Sequence, residues 1–339
     1  MSNLFPFAEI SARLPGRRRG ALWASGVGVV VLGLLLWWLA PLGEKPPSGT
    51  IVFSTGGTRG VYEEYGRRLR NELAKDMPGL EVRLTSSAGS QENVQRVAAG
   101  KADFTIAAAD AVQTYEQAHP AEHRLRGVAR LYDDYVQLIV APGSDIDSVA
   151  DLRGKRVATG LPNSGVRLIA NGVLTAAGID PDKGIVPVSA GIDTGPDMLA
   201  THEIDAFFWS GGLPTGGLTE LADRSGFRFV PIEGNLVSRL HAEGEAARYY
   251  RPTNMPESAY PLVQGGSTVA TIAVSNLLMT RADLDPRLTE WITRIVIKSR
   301  DEIGKHVHSA QRVDLRTAIY TDPLPLHTGA RRYYRSVKP

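Results

Sequence analysis

From Ile51 onward, short apolar runs alternate with helical patterns, and glycine-rich stretches often separate a run from the helix after it. That alternation restricts the chain to a layered α/β architecture, in which strands share a sheet and helices cover its faces. The clearest unit is "IVFS", then "TGGTRG", then "VYEEYGRRLRNELAKDM". Val61, Tyr65, Leu69, Leu73 and Met77 recur every fourth position and line one face of a helix. "LEVRLT" reads as a strand, and "SQENVQRVAAG" as a helix with Ser90 as N-cap and Gly100 past its end. "FTIAA" and "VQLIVA" read as strands around the helix "DAVQTYEQA". Further on, "SVADLRG" gives a helical turn, "KRVATG" a strand, and "SGVRLIANGVLTAAG" a helix closed by Gly178. "DAFFWS" and "STVATIAVS" are strands, while "GGLTELADRS" and "DPRLTEWITRIVIKSRDEI" are helices. This order predicts mainly parallel sheets. The runs at 136–141 and 267–275 suit strands that cross between two domains, with lobe one at 50–138 plus 260–339 and lobe two at 139–259.

Ahead of this pattern, Ala21 to Leu42 carries no charge over 22 residues. At 1.5 Å per residue it is long enough for about 30 Å of hydrocarbon. Arg13, Arg17, Arg18 and Arg19 precede it, so residues 1–20 are expected in the cytoplasm and the rest outside the cell membrane. Trp37 and Trp38 fall near the far end, where indoles favour the interface. A cleaved signal peptide is the rival reading. The apolar stretch is long for one, and Ala40 has Trp38 where a small residue belongs, so a single-pass signal anchor at 21–42 is expected. Residues 43–49 form a short linker.

The chain contains no cysteine, which removes disulfides, thiolate metal sites and thiol nucleophiles. Its formal charge is +2, but residues 1–43 hold a net +3, which leaves about −1 for the remainder. No basic surplus remains there to bind nucleic acid.

Four glycine-rich segments end strands: "STGGTRG", "TSSAGSQEN", "TGLPNSGV" and "FFWSGGLPTGG". Ligands of open α/β sheets bind at the carboxyl ends of strands, and helix N-termini offer free N–H groups to an anion. Each loop alone is explained equally well as a turn; four together point to a shared cleft. A phosphate cradle is a weaker reading, because "GGTRG" is neither a Walker A sequence nor GxGxxG. Hydrolysis finds no G-x-S-x-G elbow. His306 and His308 read as a solvated pair rather than metal ligands, and in "HPAEH" Pro120 breaks the helix geometry that His119 and His123 would need for a zincin site. Asp133 and Asp134 read as an exposed turn, and Tyr249, Tyr250, Tyr333 and Tyr334 as packing residues. No enzyme activity, cofactor or metal is expected.

In order and spacing, "STGGTRGVYEEYG", "TSSAGSQENVQRVAAGKADFTIAAADA", "DLRGKRVATGLPNSGVRLIANGVLTAAGI", "EIDAFFWSGGLPTGGLTELA" and "LHTGARRYY" resemble the TAXI family of solute receptors, the extracytoplasmic binding subunits of TRAP transporters. The resemblance spans roughly residues 50–335. It implies a type 2 periplasmic-binding-protein fold, two α/β lobes joined by hinge strands, here preceded by one transmembrane helix. It also implies a small carboxylate or amino acid ligand, glutamate- or glutamine-like, delivered to a TRAP-type permease. A sensing role for a partner kinase, or an anchored enzyme, are the alternatives. Carried over by position, the implied ligand contacts are Thr55, Gly57, Thr58, Tyr62, Ser90, Asn93 and Asp110 in one lobe. Ser164, Gly165, Trp209, Gly211 and Pro214 are those in the other. Thr58, Ser90 and Ser164 would hold a carboxylate, Asp110 would accept from an ammonium, and Tyr62 and Trp209 would wall the site. Arg59 and Glu63 depart from the family pattern. Arg59 either clamps a carboxylate or faces solvent.

Overall fold

The computed structural model describes residues 45–337; the expected span at 21–42 lies outside the described residues. Among the described residues, no helix is long and apolar enough to cross a membrane.

The described strands are β1 (Gly49–Ser54), β2 (Leu80–Thr85), β3 (Phe104–Ala108), β4 (Leu125–Val140), β5 (Arg156–Ala158), β6 (Val186–Val188), β7 (Ala206–Gly211), β8 (Arg228–Val230), β9 (Arg251–Met255) and β10 (Val269–Arg281). They form one sheet in the order β2-β1-β3-β10-β4-β7-β5-β6, with β8 paired to β4 and β9 to β10. The expectation of mainly parallel pairing holds only at the two ends, where β1 lies parallel to β2 and β3, and β5 to β6 and β7. In the middle, β10 runs antiparallel to β3, β4 and β9, and β4 runs antiparallel to β7 and β8. Two long strands that traverse the sheet and return produce this reversal, which simple βαβ repetition does not.

The helices at Val61–Asp76, Ser90–Ala98, Ala109–Ala118, Gly165–Ala176 and Gly216–Arg224 stand where their periodicity put them. The long helix expected from Pro286 ends at Lys298; Ser299 hydrogen-bonds back to Ile295, and a short helix Arg300–Gly304 follows. "VQLIVA" is only the last part of β4, which begins at Leu125. Asp133 and Asp134 are therefore mid-strand residues, not an exposed turn. Asp133 is half-buried against Arg130 and Arg251, while Asp134 is 3% exposed.

Core side chains follow the strand period of two. At one end, Phe53, Phe104, Ile106 and Leu131 meet Tyr65, Leu69 and Leu73, with Ile292, Ile295, Tyr333 and Tyr334 from the C-terminal helices. At the other, Val136, Leu138, Val140 and Phe208 pack on the Gly165–Ala176 helix. The alternate residues Ile139 and Phe207 face the opposite layer with Leu218, Leu221 and Tyr260. β4 and β10 contribute to both ends.

Candidate functional site

A cavity of about 260 Å³ opens where the strand ends converge. That is just under the roughly 300–1,000 Å³ usual for small-molecule sites, and suits a small solute. Its walls come from the loops after β1, β2, β5 and β6, from the end of β3 and the helix that follows it, from the end of β7, and from β4 and β10. Eight expected residues line it: Gly57, Tyr62, Ser90, Asp110, Ser164, Gly165, Trp209 and Gly211.

The other four stand outside its lining. Thr55 is buried and donates to Glu63 Oε2 at 2.6 Å. Asn93 is fully buried and bolts three segments together: its Nδ2 donates to the carbonyls of Thr55 and Ile106, and its Oδ1 accepts from Ser54 and Ser87. Thr58 is exposed and bonds Asp193. Pro214 follows a cis peptide bond beyond Gly211.

The first glycine loop already holds a carboxylate, and it belongs to the protein. Asp193, from the loop after β6, accepts from the backbone N–H of Thr58 at 3.1 Å and of Arg59 at 2.8 Å, and from the Thr58 hydroxyl at 3.2 Å. A Cβ on Gly57 would lie 2.9 Å from Asp193 Oδ2, so glycine there permits this approach. Arg59, expected either to clamp a carboxylate or to face solvent, engages carboxylates of the protein itself. Its guanidinium reaches the Asp193 carbonyl at 3.3 Å, Asp197 at 3.5 Å and Glu220. A second clasp joins the loops after β2 and β5: Gln91 Nε2 donates to the Ser164 carbonyl at 2.7 Å, and the Glu92 N–H to Asn163 at 2.9 Å.

Ser90 is the first residue of its helix, whose N-cap is Gly89, so its hydroxyl is not a cap. It accepts from the Ala108 N–H at 3.1 Å and lies 3.1 Å from Tyr62 Oη. Ser164 is the cap of its own helix: Oγ accepts from the Arg167 N–H at 3.0 Å and donates to Leu161. Trp209 Nε1 is fixed on Thr215 Oγ1 at 3.0 Å, which holds the indole as a wall.

The polar floor is acidic. Asp110, in the first turn of its helix, accepts from Tyr250 Oη at 2.7 Å and is 1% exposed. Asp134 lies 3.3 Å from Tyr62 Oη, which also rests on Asn276. Asp110 Oδ1, Asp134 Oδ1 and Asn276 Nδ2 are buried without protein partners. Burial raises the Asp110 carboxyl to about 6, with the Tyr250 bond pulling the other way. Burial raises Asp134 to about 7, opposed by hydrogen bonding and reinforced by the charge of Asp110. Burial also pushes the Tyr62 phenol well above its usual value, so it stays a donor. Among the described residues that line the cavity, none is Lys, Arg or His.

Asp134, Asn276, Asp193 and Tyr250 were missed in sequence. A signal existed for Asp193: "AGIDTGPDM" is a fifth glycine-bearing loop before a helix. Asn276 is placed by a bulge, where Leu131 and Tyr132 of β4 oppose this one residue of β10.

Among solved structures, the alkanesulfonate-binding protein SsuA from Xanthomonas axonopodis pv. citri bound to MOPS is similar at TM-score 0.50 and 14% identity, over 87% of this chain and 86% of that one. A putative L-cystine ABC transporter protein from Listeria monocytogenes gives 0.49 and 17%, over 78% and 98%. The first likeness supports a mixed α/β fold of the periplasmic-binding-protein kind. A family model described as the NMT1-like family matches residues 53–337.

Proposed function

We propose that this chain, which belongs to the NMT1-like family, is an extracytoplasmic solute receptor. It takes a small carboxylate or amino acid, of the glutamate or glutamine kind, into the cleft between its two lobes, and a TRAP-type permease then accepts the solute. The segment at 21–42 tethers it to the membrane. No bond is made or broken. The observation that carries this reading is the cavity, closed over by loops from opposite ends of the sheet that clasp each other through Asp193 and through Gln91. Hinge closure of two lobes over a ligand produces such a clasp. The alkanesulfonate-binding protein, similar in fold, is bound to MOPS, which agrees with a receptor for small solutes. The N-termini of the helices at Ser90 and Gly165 line the cavity and favour an anionic group.

A thermal-shift screen of the full-length chain against small acids and amino acids tests this. A solute that binds only the folded state adds about 2.7 kcal/mol of stability at a hundredfold excess over its Kd. A hit is expected that disappears in Trp209→Ala. A folded chain unmoved by every member of a broad solute panel sinks the proposal.

A further inference from the structure

Taking the receptor reading as its basis, we infer that the solute is recognised through a protonated nitrogen, an ammonium or amidinium, seated between Asp110 and Asp134, and that acids lacking such a nitrogen are not substrates of this site. Both carboxyls line the cavity, both are more than nine-tenths buried, and each keeps one oxygen without a protein partner. A buried, unpaired acceptor is costly, and a charged one more so. A cationic N–H donor satisfies both oxygens and compensates their charge; an anion leaves them unpaired and adds repulsion.

The surroundings provide no substitute. Tyr250 donates to Asp110 and Tyr62 to Asp134, and the other donors acting on the pair, the backbone amide of Ala111 and the side chain of Asn276, are neutral too. Asn276 and Ser90 complete that wall and carry no charge. Asp133, next along β4, is neutralised outside the cavity by Arg130 and Arg251, and the nearby Tyr132 phenol is held un-ionised by burial. The third acid of the lining, Asp193, is occupied by the Thr58 and Arg59 amides. Among the described acids of the lining, only Asp110 and Asp134 therefore keep an oxygen without a protein partner. An amino acid matches both kinds of group, a carboxylate for the helix N-termini and an ammonium for the pair, whereas succinate offers the pair no donor.

Calorimetry on the full-length chain tests the inference with putrescine, ornithine and glutamine as nitrogen-bearing probes and succinate and glutarate as acids. At least one nitrogen-bearing probe is expected to bind, and its affinity to fall about 10- to 100-fold in Asp134→Asn and in Asp110→Asn, the loss for one charge-assisted hydrogen bond. Both variants are near-isosteric, and their melting curves verify folding. Wild-type binding near pH 6 is expected to release protons, read from two buffers of different ionisation enthalpy, because a cation displaces the protons held on the pair. Succinate binding, undiminished or tighter in Asp134→Asn, overturns the inference and leaves the receptor reading intact. Binding of a nitrogen-bearing probe without proton release and without loss in either variant overturns it equally. Silence from these probes and from every other solute counts against both.

Discussion

Replacing Asp134 by Asn is expected to stabilise the empty protein at pH 8 and to change it less at pH 5. An unfolded aspartate titrates near 3.9. In the folded chain Asp134 titrates at about 7, because burial disfavours its charged form. Between these values the native state binds the extra proton, so stability falls as pH rises and levels off above about 7. One unit is worth about 1.4 kcal/mol. From pH 5 to 8 the wild type passes through about two units of that window, a loss of about 3 kcal/mol from this residue alone. A chain of this size responds by roughly 2 °C per kcal/mol, so Asp134 alone should lower the wild-type melting temperature by about 6 °C over that range. Asp134→Asn has no proton to lose and keeps only the smaller decline caused by Asp110. Differential scanning calorimetry at both pH values, without solute, decides it. A wild-type melting temperature that does not fall between pH 5 and 8, or a variant no more stable than wild type at pH 8, refutes the assignment of Asp134 as an uncompensated buried acid.

Other expectations concern the clasp, the bolt and the wall. Asp193→Ala removes three acceptor contacts at a half-exposed position, a loss of about 1–2 kcal/mol in closure after solvent screening. Small-angle scattering should record a larger radius of gyration, and calorimetry a solute affinity 5- to 30-fold weaker. Asn93→Ala leaves the buried Thr55 and Ile106 carbonyls without their donor and should cost about 2–4 kcal/mol in urea denaturation. A loss of solute affinity with unchanged stability would return Asn93 to the ligand. Trp209→Ala should weaken solute binding at least tenfold while the melting temperature of the empty chain moves by only a few degrees.

The sequence carried the helices well, because an apolar residue every fourth position needs no knowledge of the partner it packs on. It carried the strand-end loops too, and eight of the residues they suggested line the cavity. It did not carry β4. "LRGVARLYDDYVQLIV" mixes charge, glycine and aromatic residues, and only pairing with β10, β7 and β8 makes it a single strand. The error over Asp134 follows from that: an acid beside another acid looks solvated until a tyrosine and an asparagine from remote segments close over it. The clasp was illegible for a different reason. Nothing local reveals that a loop able to hold a foreign carboxylate will instead meet Asp193, 135 positions away from Thr58.

β4 and β10 run without a break from one group of core side chains to the other, and their ladder skips at Leu131–Tyr132 and again at Val128. The strands beneath the cleft are therefore continuous rather than a loop connection. In the proposed receptor, opening the cleft would flex a two-ply strip of backbone, a leaf spring whose ladder is interrupted at the skipped rungs, one of them opposite the residue that supports Tyr62. The width of the mouth is then governed by elastic stiffness as well as by what touches at its rim. Because the skip at Leu131 and Tyr132 also places Asn276 under Tyr62, the same irregularity that interrupts the ladder sets one wall of the cavity.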